Sequence, residues 1–154
     1  MTTAEFENYC FLRLYSIDLN TAAHAIAILK RYRKADVQVA LLRDIAVTYS
    51  RPFSVNRGNE YRKHQLPIKH VPRQARGLHN RLLDLRNSQF AHTDLKFHNP
   101  KVARFGTKEQ PWYPMSFKSF DYQGFLRQLP EIRSLIKAVE ESVNAEARRY
   151  EQCF

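Results

Sequence analysis

Four glycines in 154 residues leave little material for the tight turns of an all-β fold. They also leave no Gly-rich loop to cradle phosphates, and neither a P-loop nor a dinucleotide-binding fingerprint is present. Two cysteines, Cys10 and Cys153, stand near opposite ends of the chain and form no metal-type cluster, so they read as reduced thiols. No apolar run reaches the length of a membrane-spanning helix. The opening Met-Thr-Thr-Ala-Glu-Phe-Glu lacks the basic and apolar regions of a signal peptide. These absences point to a cytoplasmic protein with no membrane partner. Ser-His-Asp patterning is missing too, and acidic residues are few, 15 against 25 Lys and Arg.

What is present is a folded composition, 44% hydrophobic and 12% aromatic, of a length that suits a single domain over 1–154. The net charge of +10 is unevenly spread. Met1 to Leu42 carries five basic and four acidic residues, and Phe105 to Phe154 carries seven of each. Arg43 to Arg104 carries thirteen basic and four acidic residues, so nearly all the excess lies in the middle. A localised, Arg-rich excess attracts polyanions, of which nucleic acid is the commonest.

Thr2 and Glu5 fit a capping box, and Leu12, Tyr15, Leu19, Ala22, Ile26 and Leu29 recur at helical spacing, predicting a helix from about Thr3 to Lys34. Asp36 suits the N-cap of a second helix with Val37, Ala40, Leu41, Ile45 and Thr48 on one face, ended by Arg51-Pro52. Phe53 to Val71 reads as a loop with a short helical turn. Pro72 opens a third helix that runs to Phe90 or Ala91 along Ala75, Leu78, Leu82, Leu85 and Gln89. His98 to Lys118 reads as an ordered loop or short hairpin, Val102–Phe105 against Trp112–Phe117, whose aromatics are expected to pack it onto the helices more than to stack on bases. Asp121 opens a short helix, and Pro130 at a first-turn position starts or kinks the last one, striped by Ile132, Leu135, Ile136, Val139 and Val143. The expected architecture is all-α: a four- to five-helix up-and-down bundle with one irregular excursion before the last helix.

Chemistry concentrates in Leu-Arg-Asn-Ser-Gln-Phe-Ala-His-Thr-Asp, residues 85–94. Arg86 is a permanent cation suited to phosphate, and His92 is the side-chain type suited to proton transfer near neutral pH. Sixteen arginines and six histidines make such a pair unremarkable by itself, and Arg57/His64 and Arg73/His79 have comparable spacing. Arg86/His92 stands apart because polar Asn87 follows the Arg and the pair sits at the end of a strongly apolar helix. Its geometry carries a condition. Six residues at about 100° each put Arg86 and His92 about 120° apart on a regular α-helix, so the helix must end or distort near Ala91, or the Arg side chain must wrap round. His64, His70 and His79 lack the Cys or carboxylate pattern of a metal site, and His24 reads as structural.

Arg86-Asn87-x4-His92 resembles the Arg-polar-x-His signature of the HEPN family, in the form seen in abortive-infection proteins and toxins. The resemblance implies a helical bundle and a metal-independent endoribonuclease without a cofactor, acting in phage defence or as a toxin. It implies Arg86, Asn87 and His92 as catalytic residues, a homodimer with two motifs facing one cleft, and an antitoxin or other defence-system protein as partner. Arg51, Arg73, Arg76 and Arg81 are candidate RNA contacts, with the basic loop Arg57 to His64 beside the approach. Two alternatives remain open: a non-catalytic HEPN-like module binding RNA, a nucleotide or a protein, and a helical interaction or regulatory protein with an incidental Arg/His pair. The bland reading of Arg86 itself is a surface ion pair with Asp84 or Asp94.

Overall fold

The computed structural model describes residues 2–59, 63–91 and 94–152. Of the described residues 67% are helical, in six α-helices and shorter helical turns, with small antiparallel strand pairs beside them. The fold is therefore richer in short elements than a four- or five-helix bundle. Three helices carry most of the length: α1 (Thr3–Leu29), α2 (Ala35–Ser50) and α6 (Leu129–Glu151). No helix among the described residues is long and apolar enough to cross a membrane.

The capping box at the start of α1 forms as expected: Thr2 N–H donates to Glu5 Oε2 at 2.6 Å, and Glu5 N–H donates to Thr2 Oγ1 at 3.2 Å. The helix ends at Leu29, short of the expected Lys34. Its apolar stripe stops there, and the N–H groups of Arg31 and Tyr32 turn to the carbonyls of Ile28 and Leu29, tightening and closing the last turn. Lys34, extended and without a side-chain cap, precedes α2, so Asp36 lies inside the first turn of α2 and accepts from Val37 N–H instead of capping the helix.

α1 lies between α2 and α6. Ser16 Oγ donates to Asn144 Oδ1 at 2.9 Å and Tyr9 reaches Glu151 at 3.0 Å, so α1 and α6 run antiparallel. Their seam buries Leu12, Leu19, Ala22 and Ile26 of α1 with Ile132, Ile136, Val139 and Val143 of α6 in the common core, together with Leu42, Ile45 and Tyr49 of α2. Each fully buried Leu, Ile or Val contributes about 1.5–3 kcal/mol relative to exposure, and this stripe is the fold's main source of stability.

The predicted third helix is a compound element. A 3-10 turn (Arg73–Ala75) leads into α3 (Arg76–Leu85), and the last stretch, Arg86–Phe90, is a π turn closed by Ala91 N–H donating to Arg86 O at 2.8 Å. α3 runs antiparallel to α2: the Tyr49 hydroxyl meets His79 Nδ1 at 2.9 Å at one end, and Arg43 lies over the Phe90 ring at the other. Between α2 and α3 lie β1 (Asn56–Arg57), β2 (Lys63–His64) and a 3-10 turn at Ile68–His70. Beyond the π turn come α4 (Leu95–His98), the strands β3 (Lys101–Val102), β4 (Phe105–Gly106), β5 (Pro111–Trp112) and β6 (Met115–Ser116), and then α5 (Tyr122–Arg127), capped by Asp121 accepting from Gly124 N–H.

The four strands form one antiparallel hairpin in a single register, Lys101 opposite Ser116 through Gly106 opposite Pro111. Gly106 turns with φ +88°, and a Cβ there would strike the Gln110 carbonyl. The hairpin is where the sequence places it, but its aromatics do not pack it onto the helices. Phe105, Trp112, Tyr113 and Phe117 are exposed, and Phe105 and Trp112 face each other with ring centroids 5.2 Å apart.

Candidate nucleic-acid site around Arg86

Leu82 and Leu85 are buried and hold the end of α3 against the core, so the chain that follows begins from a fixed point. On an α-helix, five residues would carry Phe90 about 140° past Leu85. The π turn inserts an extra residue and brings Phe90 back over the inner side of the element. There its ring meets Phe120 at 5.9 Å, edge to face, and receives the Arg43 guanidinium at 5.9 Å. The distortion that the motif demanded near Ala91 is thus present. His92 and Thr93, the next two residues, lie outside the described residues.

Arg86, half-buried, opens this widened turn, and its Nη1 donates to Asn87 Oδ1 at 2.8 Å. Among the described residues Arg86 has no carboxylate partner, so neither Asp84 nor Asp94 takes it into an ion pair. Asn87 is neutral. It fixes the guanidinium while leaving its charge and most of its donors open. Gln89 Oε1 is also buried here, without a hydrogen-bond partner among the described residues. Beside the turn a cavity of about 290 Å³ opens between Arg81, Asp84 and Leu85 of α3 and the root of the hairpin at Phe97, Lys118 and Phe120.

The other candidate arginines fall elsewhere on the element pair. Arg73 and Arg76 stand at the start of α3, and Arg76 is about 15 Å of helix away from Arg86. Arg51 ends α2 near that same end, since Tyr49 and Phe53 both meet His79, and its Nη1 is 2.9 Å from Asp18 Oδ1. Arg81 lies between the two ends and donates to Gln128 Oε1 at 3.1 Å. Arg86 and Asn87 are therefore brought together, with Arg81 on the way, while Arg51, Arg73 and Arg76 gather at the far end.

The three weighed histidines serve the fold. His79 is buried, accepts from or donates to Tyr49, and has its pKa lowered by burial. His64 stacks on Phe11 at 4.0 Å and places Nε2 3.3 Å from Glu7 Oε1. Glu7 also accepts from Asn59 N–H at 2.6 Å, tying the β1–β2 loop to α1. His70 is buried, with Nδ1 2.9 Å from Ser142 Oγ and Nε2 3.4 Å from Glu146. Its pKa is lowered by burial, with Glu146 opposing and Lys69 assisting. The β1–β2 loop thus turns His64 inward, away from any approach to Arg86, and its residues 60–62 lie outside the described ones. Among the described residues no three of His, Cys, Asp and Glu gather as a metal site. Cys10 is a free thiol, and Cys153 lies outside the described residues.

Sequence reasoning missed two features of this region. Arg43 reaches Phe90 from α2, a contact that no local pattern announces. The hairpin's exposed aromatics alternate with Lys101, Arg104, Lys108 and Lys118, and that interleaving was a readable signal. No family model, curated protein or solved structure matches the chain.

Proposed function

We propose that this protein is a metal-independent endoribonuclease of the HEPN type, acting in phage defence or as a toxin, with Arg86, Asn87 and His92 at its reaction centre. The observation that carries this reading is Arg86: a half-buried guanidinium on a π turn, held by neutral Asn87 and claimed by no carboxylate among the described residues, within a segment that resembles the family's motif. π turns recur at functional sites, and this one widens the helix within the motif itself. In this reading α1, α2, α3 and α6 are the bundle, and the basic middle of the chain draws RNA to it.

The chemistry uses the substrate's own nucleophile. His92 takes the proton of the 2′-hydroxyl, and the 2′-oxygen attacks the adjacent phosphorus. The bond from phosphorus to the 5′-oxygen breaks, and that oxygen takes a proton from a general acid. The products are a 2′,3′-cyclic phosphate and a 5′-hydroxyl. Arg86 binds the phosphate and stabilises the charge that grows on its oxygens. One imidazole does not supply base and acid in the same step, and the His92 of a second protomer fills the other role in a homodimer.

The test is cleavage of a labelled structured RNA in EDTA by wild type, His92→Ala and Arg86→Ala prepared identically. Wild type leaves cyclic-phosphate ends, His92→Ala is inactive, and Arg86→Ala loses roughly 10²–10³ in rate. Equal cleavage by wild type and His92→Ala overturns the assignment, and RNA binding without cleavage by wild type replaces the enzyme with a binding module.

A further inference from the structure

We propose that the hairpin 98–118 is a binding arm for an unpaired RNA strand. The choice of RNA over DNA rests on the proposed ribonuclease function; the choice of an unpaired strand rests on the arm itself.

Val102, Phe105, Trp112, Tyr113, Met115 and Phe117 are each more than half exposed, a concentration found on no other element among the described residues. The register puts Val102 opposite Met115 and Phe105 opposite Trp112. These two pairs lie three positions apart along the strands, so they project from opposite faces. A hairpin that folds onto a core has one apolar and one polar face, and this one has apolar groups on both. A protein surface docked on one face would leave the other wet, whereas a flexible strand can use both.

Charge selects the same occupant. Lys101, Arg104, Lys108 and Lys118 are exposed, Glu109 is the only acid between 98 and 118, and none of the four cations has a carboxylate partner among the described residues. Aromatic platforms alternating with cations suit a single strand, whose bases stack on the rings while its phosphates meet the ammonium and guanidinium groups. A duplex hides its base faces and gains only the charge. Pairing of the arm with a second copy through its strand edges is opposed by two-residue strands and by Pro111 and Pro114 along them.

Position links the arm to Arg86. Lys118 N–H donates to His98 O at 2.7 Å and closes the root. Two residues on, Phe120 packs on Phe90 of the π turn. A strand lying along the arm is thus led down to the turn that carries Arg86.

Trp112 is the only tryptophan in the chain, so its emission reports the arm directly. The experiment titrates the protein at low salt with an unpaired 2′-O-methyl oligonucleotide, which has no free 2′-hydroxyl to be cleaved, and in parallel with duplex RNA and single-stranded DNA. The unpaired RNA analogue should quench Trp112, the duplex should not, and Phe105→Ala and Tyr113→Ala should each weaken binding roughly five- to hundredfold. Equal binding of single-stranded DNA supports the arm and assigns sugar selectivity to the cleavage centre. A silent Trp112, wild-type affinity in both variants, or a change confined to self-association in sedimentation overturns the proposal. His92→Ala separates the two readings, because it abolishes cleavage and keeps the quench. If wild type never cleaves yet the quench and its loss in the variants hold, the ribonuclease falls and the arm stands. If unpaired RNA is cleaved equally by wild type and the arm variants, the arm falls and the ribonuclease stands.

Discussion

A guanidinium held by a neutral amide keeps its charge for a ligand, whereas one held by a carboxylate spends much of it. That distinction makes the 2.8 Å bond from Arg86 to Asn87 informative. In the proposed site Asn87 positions Arg86 by accepting from its guanidinium. The opposite use of polar groups is seen at His79, which is buried against Tyr49 and Phe53 and, among the described residues, has no ion-pair partner. Burial lowers its pKa below the ordinary histidine value of 6.5, and the same holds for His70. As pH falls through that value the unfolded chain takes up protons that the folded chain refuses, so stability drains away on the acid side. Melting temperature should therefore fall between about pH 7 and pH 5, and His79→Gln, though less stable at neutral pH, should show a shallower fall. Thermal melts of both proteins across that range check this; parallel curves would mean that His79 titrates normally.

Elements were legible in proportion to how local their causes are. Thr2 with Glu5, the stripe from Leu12 to Leu29, Asp121 before α5 and Pro130 in the first turn of α6 are each read from neighbours a turn away, and each lies where the sequence puts it. The π turn was not legible beyond the need for some distortion, because the groups that Phe90 meets there, Phe120 and Arg43, are 30 and 47 positions away in the sequence. The exposure of the hairpin was misread for the same reason: alternation of rings and turns fixes a hairpin but not the surface it meets. The junction at Phe90 is testable as packing. Phe90→Ala removes a half-buried ring held by one aromatic edge and one cation, and should cost about 2 kcal/mol, below the roughly 3–5 kcal/mol of a fully buried phenylalanine. Urea denaturation measures the loss. It should come with faster amide exchange at Ala91, whose N–H closes the π turn, and an unchanged rate there would separate the turn from its packing.

Across the whole molecule the charge has a direction. The excess read from the sequence between Arg43 and Arg104 covers the end of α2, all of α3, the π turn and the first strand of the arm, while α6 carries five acidic and four basic residues and helps form the core. Some of the middle cations are already engaged, Arg51 by Asp18 and Lys69 by Glu146, whereas Arg86, Lys101 and Arg104 have no carboxylate partner among the described residues. Charge that binds phosphates releases counterions, and that makes the layout measurable. For a single strand each neutralised phosphate lowers the slope of log affinity against log salt by about 0.7, so four arm cations and Arg86 correspond to a slope of about −3.5. Replacing Lys101 and Arg104 by Ala should make the slope shallower by about 1.4 and weaken binding most at low salt. Replacing Lys137, which pairs with Glu141 on α6, should leave it unchanged. Binding measured at a series of salt concentrations decides the matter, because adventitious attraction to a basic protein would respond to both replacements in proportion to charge removed, whereas an oriented path responds only to the cations that line it.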